Sequence, residues 1–209
     1  MERETPPERR RLDRDGLIDV AHLKFDLAKL ERLNDPGRFE ELPPDVMWDA
    51  LERPDAKGIV EIGAGTGLFA GAFAALAPEA TIWAADLEDV MVDWMRANRP
   101  EVAEGRVVPL KAEETRVPLP DASADLVYMI NLHHELVDPE ASYREALRLT
   151  KPGGQLLVVD WAARETPKGP PQALRIGAED LEALVRSVGY RDVRQHDVLP
   201  WHTMITARA

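Results

Sequence analysis

The spacing of apolar positions changes near Lys57 and divides the chain in two. Upstream, across residues 20–33, Leu23, Leu27, Leu30 and Leu33 recur every three or four positions, the mark of one buried helix face. Asn34, Asp35, Pro36 and Gly37 break that helix, and Pro43-Pro44 punctuates the chain again. Proline suits a first helical turn, so Pro44 is expected to open a helix over 45–52. Residues 1–15 are charged and proline-bearing and read as a flexible tail, with Arg9, Arg10 and Arg11 solvated.

Downstream, short apolar runs alternate with helical ones. Residues 58–62, 80–85, 106–110, 124–131 and 155–161 read as strands, the fourth carrying Leu126-Val127-Tyr128-Met129-Ile130 without a charge. Residues 68–76, 89–98 and 140–149 read as helices. Runs that are apolar on both faces, alternating with helices, predict a parallel sheet covered on both sides. A helix over 178–187, ended by Gly189, precedes two β-like runs, 192–199 and 202–207, with Pro200-Trp201 between them. So short a connection predicts an antiparallel pair at the sheet edge. The expected organisation is therefore a tail over 1–15, a helical segment over 16–56 and one α/β domain over 57–209.

Composition narrows the class. A hydrophobic share of 44% and a charged share of 31% fit a globular chain and exclude a disordered one. No uncharged apolar run approaches the roughly 18 residues of a membrane span, and the N-terminus lacks the apolar core of a secretory signal. There is no cysteine, which removes disulfides, thiolate metal sites and thiol nucleophiles together and fits the expected cytoplasmic location. A net charge of −12 opposes approach to a phosphate backbone, so no nucleic-acid partner is expected. Oligomeric state is left open.

Chemistry concentrates in Glu61-Ile62-Gly63-Ala64-Gly65-Thr66-Gly67-Leu68, where a strand ends and a helix begins, the place at which open α/β sheets bind ligands. The third glycine comes one residue earlier than in the dinucleotide fingerprint, and Leu68 stands where that fingerprint wants a small residue. Asp86 closes the second strand, nineteen residues after Gly67, and can accept both hydroxyls of a ribose. Its plain alternative is a helix cap. Glu61 discriminates further: a carboxylate there suits the cationic end of a ligand and repels a pyrophosphate.

Four signatures stand in one order: Glu61 to Gly67; Asp86; Pro118-Leu119-Pro120-Asp121-Ala122-Ser123-Ala124-Asp125; and Leu149-Thr150-Lys151-Pro152-Gly153-Gly154. From about Gly58 onward the chain resembles the class I S-adenosylmethionine-dependent methyltransferases, and within them the group similar to the ubiquinone/menaquinone-biosynthesis methyltransferases. Lys24-Phe25-Asp26 with Leu42-Pro43-Pro44, and Asp160-Trp161 with Lys168-Gly169-Pro170-Pro171, resemble a bacterial branch of that group. The resemblance implies a Rossmann-like three-layer α/β/α fold, with a seven-stranded, mostly parallel sheet whose last strand is antiparallel, and an N-terminal helical lid. It implies S-adenosylmethionine as cofactor, with S-adenosylhomocysteine as product. The methionine end falls at Glu61, Gly63, Ala64 and Gly65, with Gly67 completing the loop. Asp86 takes the ribose, Leu87 packs on the adenine, Ala112 and Glu113 flank its edge, and Asn131 lies under the sulfonium. Many relatives carry Asp where this chain has Lys111, which leaves the adenine amino contact to Glu113 or to backbone groups.

Methyl transfer from a sulfonium asks mainly for positioning and exclusion of water, and for a base only where the nucleophile must lose a proton. His133, His134 and Asp160 are the candidate catalytic groups, all following strands at their carboxyl ends. Their plain alternative is loop packing and structural hydrogen bonding. Adjacent histidines rarely share a ligating face, and nothing in the spacing of His196 and His202 joins them to the pair, so no metal is expected. The expected partner is a small-molecule methyl acceptor. Two rivals remain: a cofactor-binding sensor or partner subunit without catalysis, and a nicotinamide-dependent oxidoreductase.

Overall fold

The computed structural model describes residues 30–52 and 55–209. The tail over 1–15, and Leu23 and Leu27 of the expected first helix, lie outside the described residues. Within them, Leu30 to Leu33 is helical, with Leu30 buried. Asp35 then caps a 3₁₀ turn over Pro36–Glu40 by accepting the amide of Gly37 at 2.8 Å. The sequence reading took this stretch only as a helix break; the Asp side chain and the proline make a turn of it.

Seven strands form one sheet: β1 (Gly58–Ile62), β2 (Thr81–Asp86), β3 (Val107–Lys111), β4 (Ala124–Ile130), β5 (Thr150–Trp161), β6 (Arg191–His196) and β7 (His202–Arg208). Their spatial order is β3-β2-β1-β4-β5-β7-β6. β3, β2, β1, β4 and β5 pair in parallel, and β7 runs antiparallel to both β5 and β6. The expected edge pair is therefore present, with the final strand inserted between β5 and β6. Strand order reverses at β1 and β4, so a crevice opens above their carboxyl ends.

Helices α1 (Pro44–Asp49), α2 (Leu68–Leu76) and α3 (Asp89–Asn98) cover one face, where Met47, Phe73 and Met95 join Ile59, Ile82 and Tyr128. The Phe73 ring stacks on Tyr128 at 4.5 Å, a pairing worth about 0.5–1.5 kcal/mol beyond the area it buries. A four-residue helix, α4 (Pro100–Ala103), follows α3. Helices α5 (Pro139–Leu149) and α6 (Ala178–Ser187) cover the other face through Tyr143, Ala146, Leu149, Leu181 and Val185. Asp138 caps α5 by accepting the Ala141 amide at 3.0 Å.

Two strand ends depart from the sequence reading by more than one residue. β5 starts at Thr150 instead of 155, because Thr150 pairs with Ala124 before a register shift passes the glycines. β6 stops at His196, short of 199. Its register shifts between Arg191 and Arg194, with Asp192 at φ 49°, and Leu199 leaves the ladder to bury itself in the first core. An edge strand accommodates such a bulge without breaking a second partner.

Candidate active site

At the end of β1 the backbone must turn under another strand. Gly63 has φ 75°, and a Cβ there would stand 2.6 Å from Leu132 Cδ1, so only glycine fits. The turn is folded back onto β2: the amides of Gly63 and Ala64 both donate to the Ala85 carbonyl, at 2.9 and 3.0 Å. Gly67 N donates to the Ala64 carbonyl at 2.8 Å, and Gly65 N donates to Asp86 Oδ2 at 2.6 Å. These amides are spent inside the protein. A pyrophosphate needs such N–H groups turned outward. The other oxygen of Asp86 accepts the Glu88 amide at 2.9 Å, so one carboxylate orders both the glycine loop and the entry to α3.

Above the loop lies a cavity of about 400 Å³. Glu61, Gly63, Ala64, Gly65, Asp86, Leu87, Ala112, Glu113 and Asn131 line it, whereas Gly67 sits behind it in the turn. Lys111 is outside this lining: its ammonium bonds the Leu87 carbonyl and pairs with Asp89 at 3.1 Å, turned toward the start of α3. The backbone of Asn131 is left-handed (φ 55°), its amide donates to the Val159 carbonyl, and its Oδ1 is buried without a partner among the described residues.

Glu61 is 2% exposed and accepts a hydrogen bond from the Tyr128 hydroxyl at 3.1 Å. Burial drives its carboxyl up to about 8; Tyr128, Arg38 and Arg99 oppose the rise and Asp86 adds to it. Arg38 lines the same cavity from the 3₁₀ turn, donating to the Leu33 carbonyl at 2.9 Å and lying 4.9 Å over the Phe69 ring. Burial lowers its pKa, with Glu61 opposing. A half-buried cation and a buried acid thus share one wall. Sequence reasoning marked Leu33 only as part of an apolar helix face and passed over Arg38, which no spacing marks: a turn read as a break brings it to the cavity. Arg99 fastens that segment to the loop, donating from Nε to the Thr66 carbonyl at 2.7 Å and from its fork to Asn34 Oδ1.

The three candidate catalytic groups lie outside the cavity lining. His133 is buried, with ring Nδ1 3.2 Å from the Tyr143 hydroxyl. His134 places Nδ1 2.9 Å from Asp160 Oδ1, and its Nε2 lies 3.9 Å from Glu135, a residue that does line the cavity. Asp160 is 1% exposed; Oδ1 also accepts the Trp161 amide at 2.8 Å, while Oδ2 has no partner among the described residues. Burial works to lower the His134 pKa, but Asp160 and Glu135 outweigh it and leave the imidazole above its ordinary value. The described residues hold no group of three side chains able to bind a metal, and no helix among them is long and apolar enough to cross a membrane.

A family model described as "Methyltransferase domain" matches residues 60–158, the stretch that builds this loop and cavity. Residues 60–158 carry the methyltransferase domain, in a chain similar to class I methyltransferases that use S-adenosylmethionine as cofactor. A probable S-adenosylmethionine-dependent methyltransferase of Mycobacterium tuberculosis is 29% identical over 147 residues, covering 68% of this chain and 51% of the relative. A ubiquinone/menaquinone biosynthesis C-methyltransferase of Caulobacter vibrioides is 30% identical over 161 residues, covering 70% and 60%. The crystal structure of a SAM-dependent methyltransferase from Aquifex aeolicus superposes with a TM-score of 0.80 at 26% identity, covering 87% of this chain and 97% of that one. The chain spans about half the length of the mycobacterial relative it matches.

Proposed function

We propose that this methyltransferase passes the methyl group of S-adenosylmethionine to a small-molecule acceptor by in-line displacement. The observation that carries the reading is the pairing of Glu61 with Arg38 in one cavity wall, above a glycine loop whose amides are already bonded. A zwitterionic amino-acid end meets both needs: its ammonium faces Glu61 and its carboxylate faces Arg38. A dinucleotide pyrophosphate would meet a buried acid and find the Gly63, Ala64, Gly65 and Gly67 amides already bonded. Asp86 suits ribose hydroxyls, since an ionised carboxylate is an acceptor only and its two oxygens offer about four acceptor positions in all. Leu87 and Ala112 supply the apolar wall for adenine, with Glu113 at its edge, and Asn131 presents its unpartnered oxygen near the methyl-bearing end.

Bound there, the cofactor supplies an electrophilic methyl group on a good leaving group, so the chain's own work is alignment, exclusion of water and removal of the acceptor's proton. His134 holds Asp160 by Oδ1, which leaves Oδ2 to take that proton. His133, turned to Tyr143, is a packing residue in this reading. A native-state ligand raises the melting temperature by mass action. S-adenosylhomocysteine should do so and NAD should not; stabilisation by NAD alone would replace this reading with the oxidoreductase.

A further inference from the structure

His202 opens β7 opposite Trp161, the last residue of β5, and its ring lies 4.2 Å from the indole. It is 4% exposed, and neither ring nitrogen has a hydrogen-bond partner among the described residues. Every other described histidine has one: His133 has Tyr143, His134 has Asp160 and His196 has Thr206. Leaving a buried polar group unmatched is costly, and here two nitrogens are unmatched on one ring. One strand position away, Asp160 opposes Thr203, and its Oδ2 is unmatched as well. These atoms belong to the carboxyl edge of the sheet beside the cofactor cavity, and Arg38 ties the two places together by acting electrostatically on both Glu61 and His202.

We propose, resting on the methyltransferase reading above, that His202 is the hydrogen-bonding anchor for the methyl acceptor and that the group it holds is an ionisable hydroxyl, as in a phenol or enol. A neutral imidazole has one donor and one acceptor, and a hydroxyl accepts the one and donates to the other. Burial, with the charges of Arg38, Arg175 and Lys168, lowers the His202 pKa to about 4 against the pull of Asp160, so the ring is neutral at physiological pH. Three of the four charges acting on His202 are cations. An ammonium would meet Arg38, Arg175 and Lys168 with Asp160 alone in its favour, whereas a hydroxyl drifting toward its anion is favoured by those three against Asp160. The connection from β5 to α6 fixes two of these charges. Arg175 donates to the carbonyls of Ala162, Arg164 and Pro170, and Lys168 pairs with Glu41.

The test uses full-length, ¹⁵N-labelled protein saturated with S-adenosylhomocysteine, and three probes: phenol, toluene and benzylamine. The His202 ring nitrogens should shift saturably with phenol and stay unmoved by toluene and benzylamine. His202→Phe, which keeps a planar ring against Trp161, should weaken phenol binding at least tenfold by calorimetry while S-adenosylhomocysteine still binds. The inference is overturned if phenol leaves the His202 nitrogens unmoved, or if toluene or benzylamine moves them equally. Failure of S-adenosylhomocysteine to bind the wild-type protein would overturn the cofactor reading and this inference with it. Normal binding with a silent His202 would overturn the inference alone.

Discussion

The two sides of the crevice are built to different degrees of completion. On the β1–β2 side, the loop amides go to Ala85, Ala64 and Asp86, and both Asp86 oxygens hold backbone donors. On the β4–β5–β7 side, Asn131 Oδ1, Asp160 Oδ2 and both His202 nitrogens are buried and unmatched among the described residues, against Thr66 Oγ1 alone in the glycine loop. Buried polar atoms without partners are costly, so native proteins keep few of them, and those they keep ask for a reason. The comparison teaches that the first side is pre-formed for a fixed ligand, while the second stays open in its hydrogen bonding until another molecule closes it.

The strongest way to break that comparison is to undo the pre-formed side at its anchor. Asp86→Ala removes the acceptor of Gly65 N and of Glu88 N together with the proposed ribose contact. Hydrogen bonds to a charged group contribute about 1.5–3 kcal/mol, so S-adenosylhomocysteine affinity should fall roughly 10- to 150-fold while the fold survives. Titration calorimetry on a variant with an unchanged circular dichroism spectrum decides it. Undiminished affinity would show that the side is ordered without Asp86 and would remove the residue from the site.

The same contrast governs what could be read from the sequence. The β1–β2 side is local: Glu61 to Gly67 is contiguous and Asp86 ends the next strand, so glycine spacing and strand ends located it. The parallel order followed from apolar runs alternating with helices. The other side is assembled from positions far apart, with Asp160 near the end of β5 and His202 at the start of β7. Their meeting depends on β7 entering between β5 and β6, which residue spacing alone does not encode. His133 and His134 are adjacent in sequence yet take separate partners, Tyr143 and Asp160, because a 3₁₀ turn over His133–Glu135 splays them. Adjacency in the chain was a poor guide to a shared role.

Acidity sharpens the comparison at Glu61, the one group on the pre-formed side whose charge is unsettled. Its folded value of about 8 lies above the ordinary 4.5, so between these limits the folded protein binds a proton that the unfolded chain releases. The stability this contributes is fully present below about pH 4.5 and is lost as pH rises through about 8. Tyr128, Arg38, Arg99 and Asp86 are the charged and titratable groups around it, and none reverses the direction set by burial. An incoming ammonium would favour the ionised form and expel the proton. S-adenosylhomocysteine affinity should therefore rise with pH by up to about tenfold per unit, levelling near pH 8. Calorimetry in two buffers of different protonation enthalpy counts the proton released. Glu61→Gln should flatten both the stability and the affinity profiles. A wild-type affinity independent of pH from 6 to 8 would mean that Glu61 does not meet the cation.

The smallest expected effect lies at the seam between the two sides. Leu33 and Arg38 form part of the cavity wall, and Leu33 Cδ1 lies 3.5 Å from where a Gly65 Cβ would stand. Arg99 joins Asn34 to the Thr66 carbonyl, so one guanidinium ties the segment carrying Leu33 to the glycine loop. A segment held this way can act as a lid, ordered further when a ligand fills the space beneath it, or it can be fixed packing that gains nothing. Asn34→Ala separates the two. It removes one half-buried end of the bridge and leaves Arg99 on Thr66, a change of about 0.5–1.5 kcal/mol for an ordinary hydrogen bond. For a lid, that loss should appear in ligand affinity, as a two- to tenfold weakening, with little change in melting temperature of the free protein. For fixed packing it should appear in the melting temperature and leave affinity alone. Hydrogen exchange gives the second reading: amides of residues 30–42 should gain protection on adding S-adenosylhomocysteine to wild type, and gain less in Asn34→Ala. Equal protection with and without ligand would make the segment a permanent wall, and the pre-formed side of the crevice would then extend across the N-terminal turn to Arg38 itself.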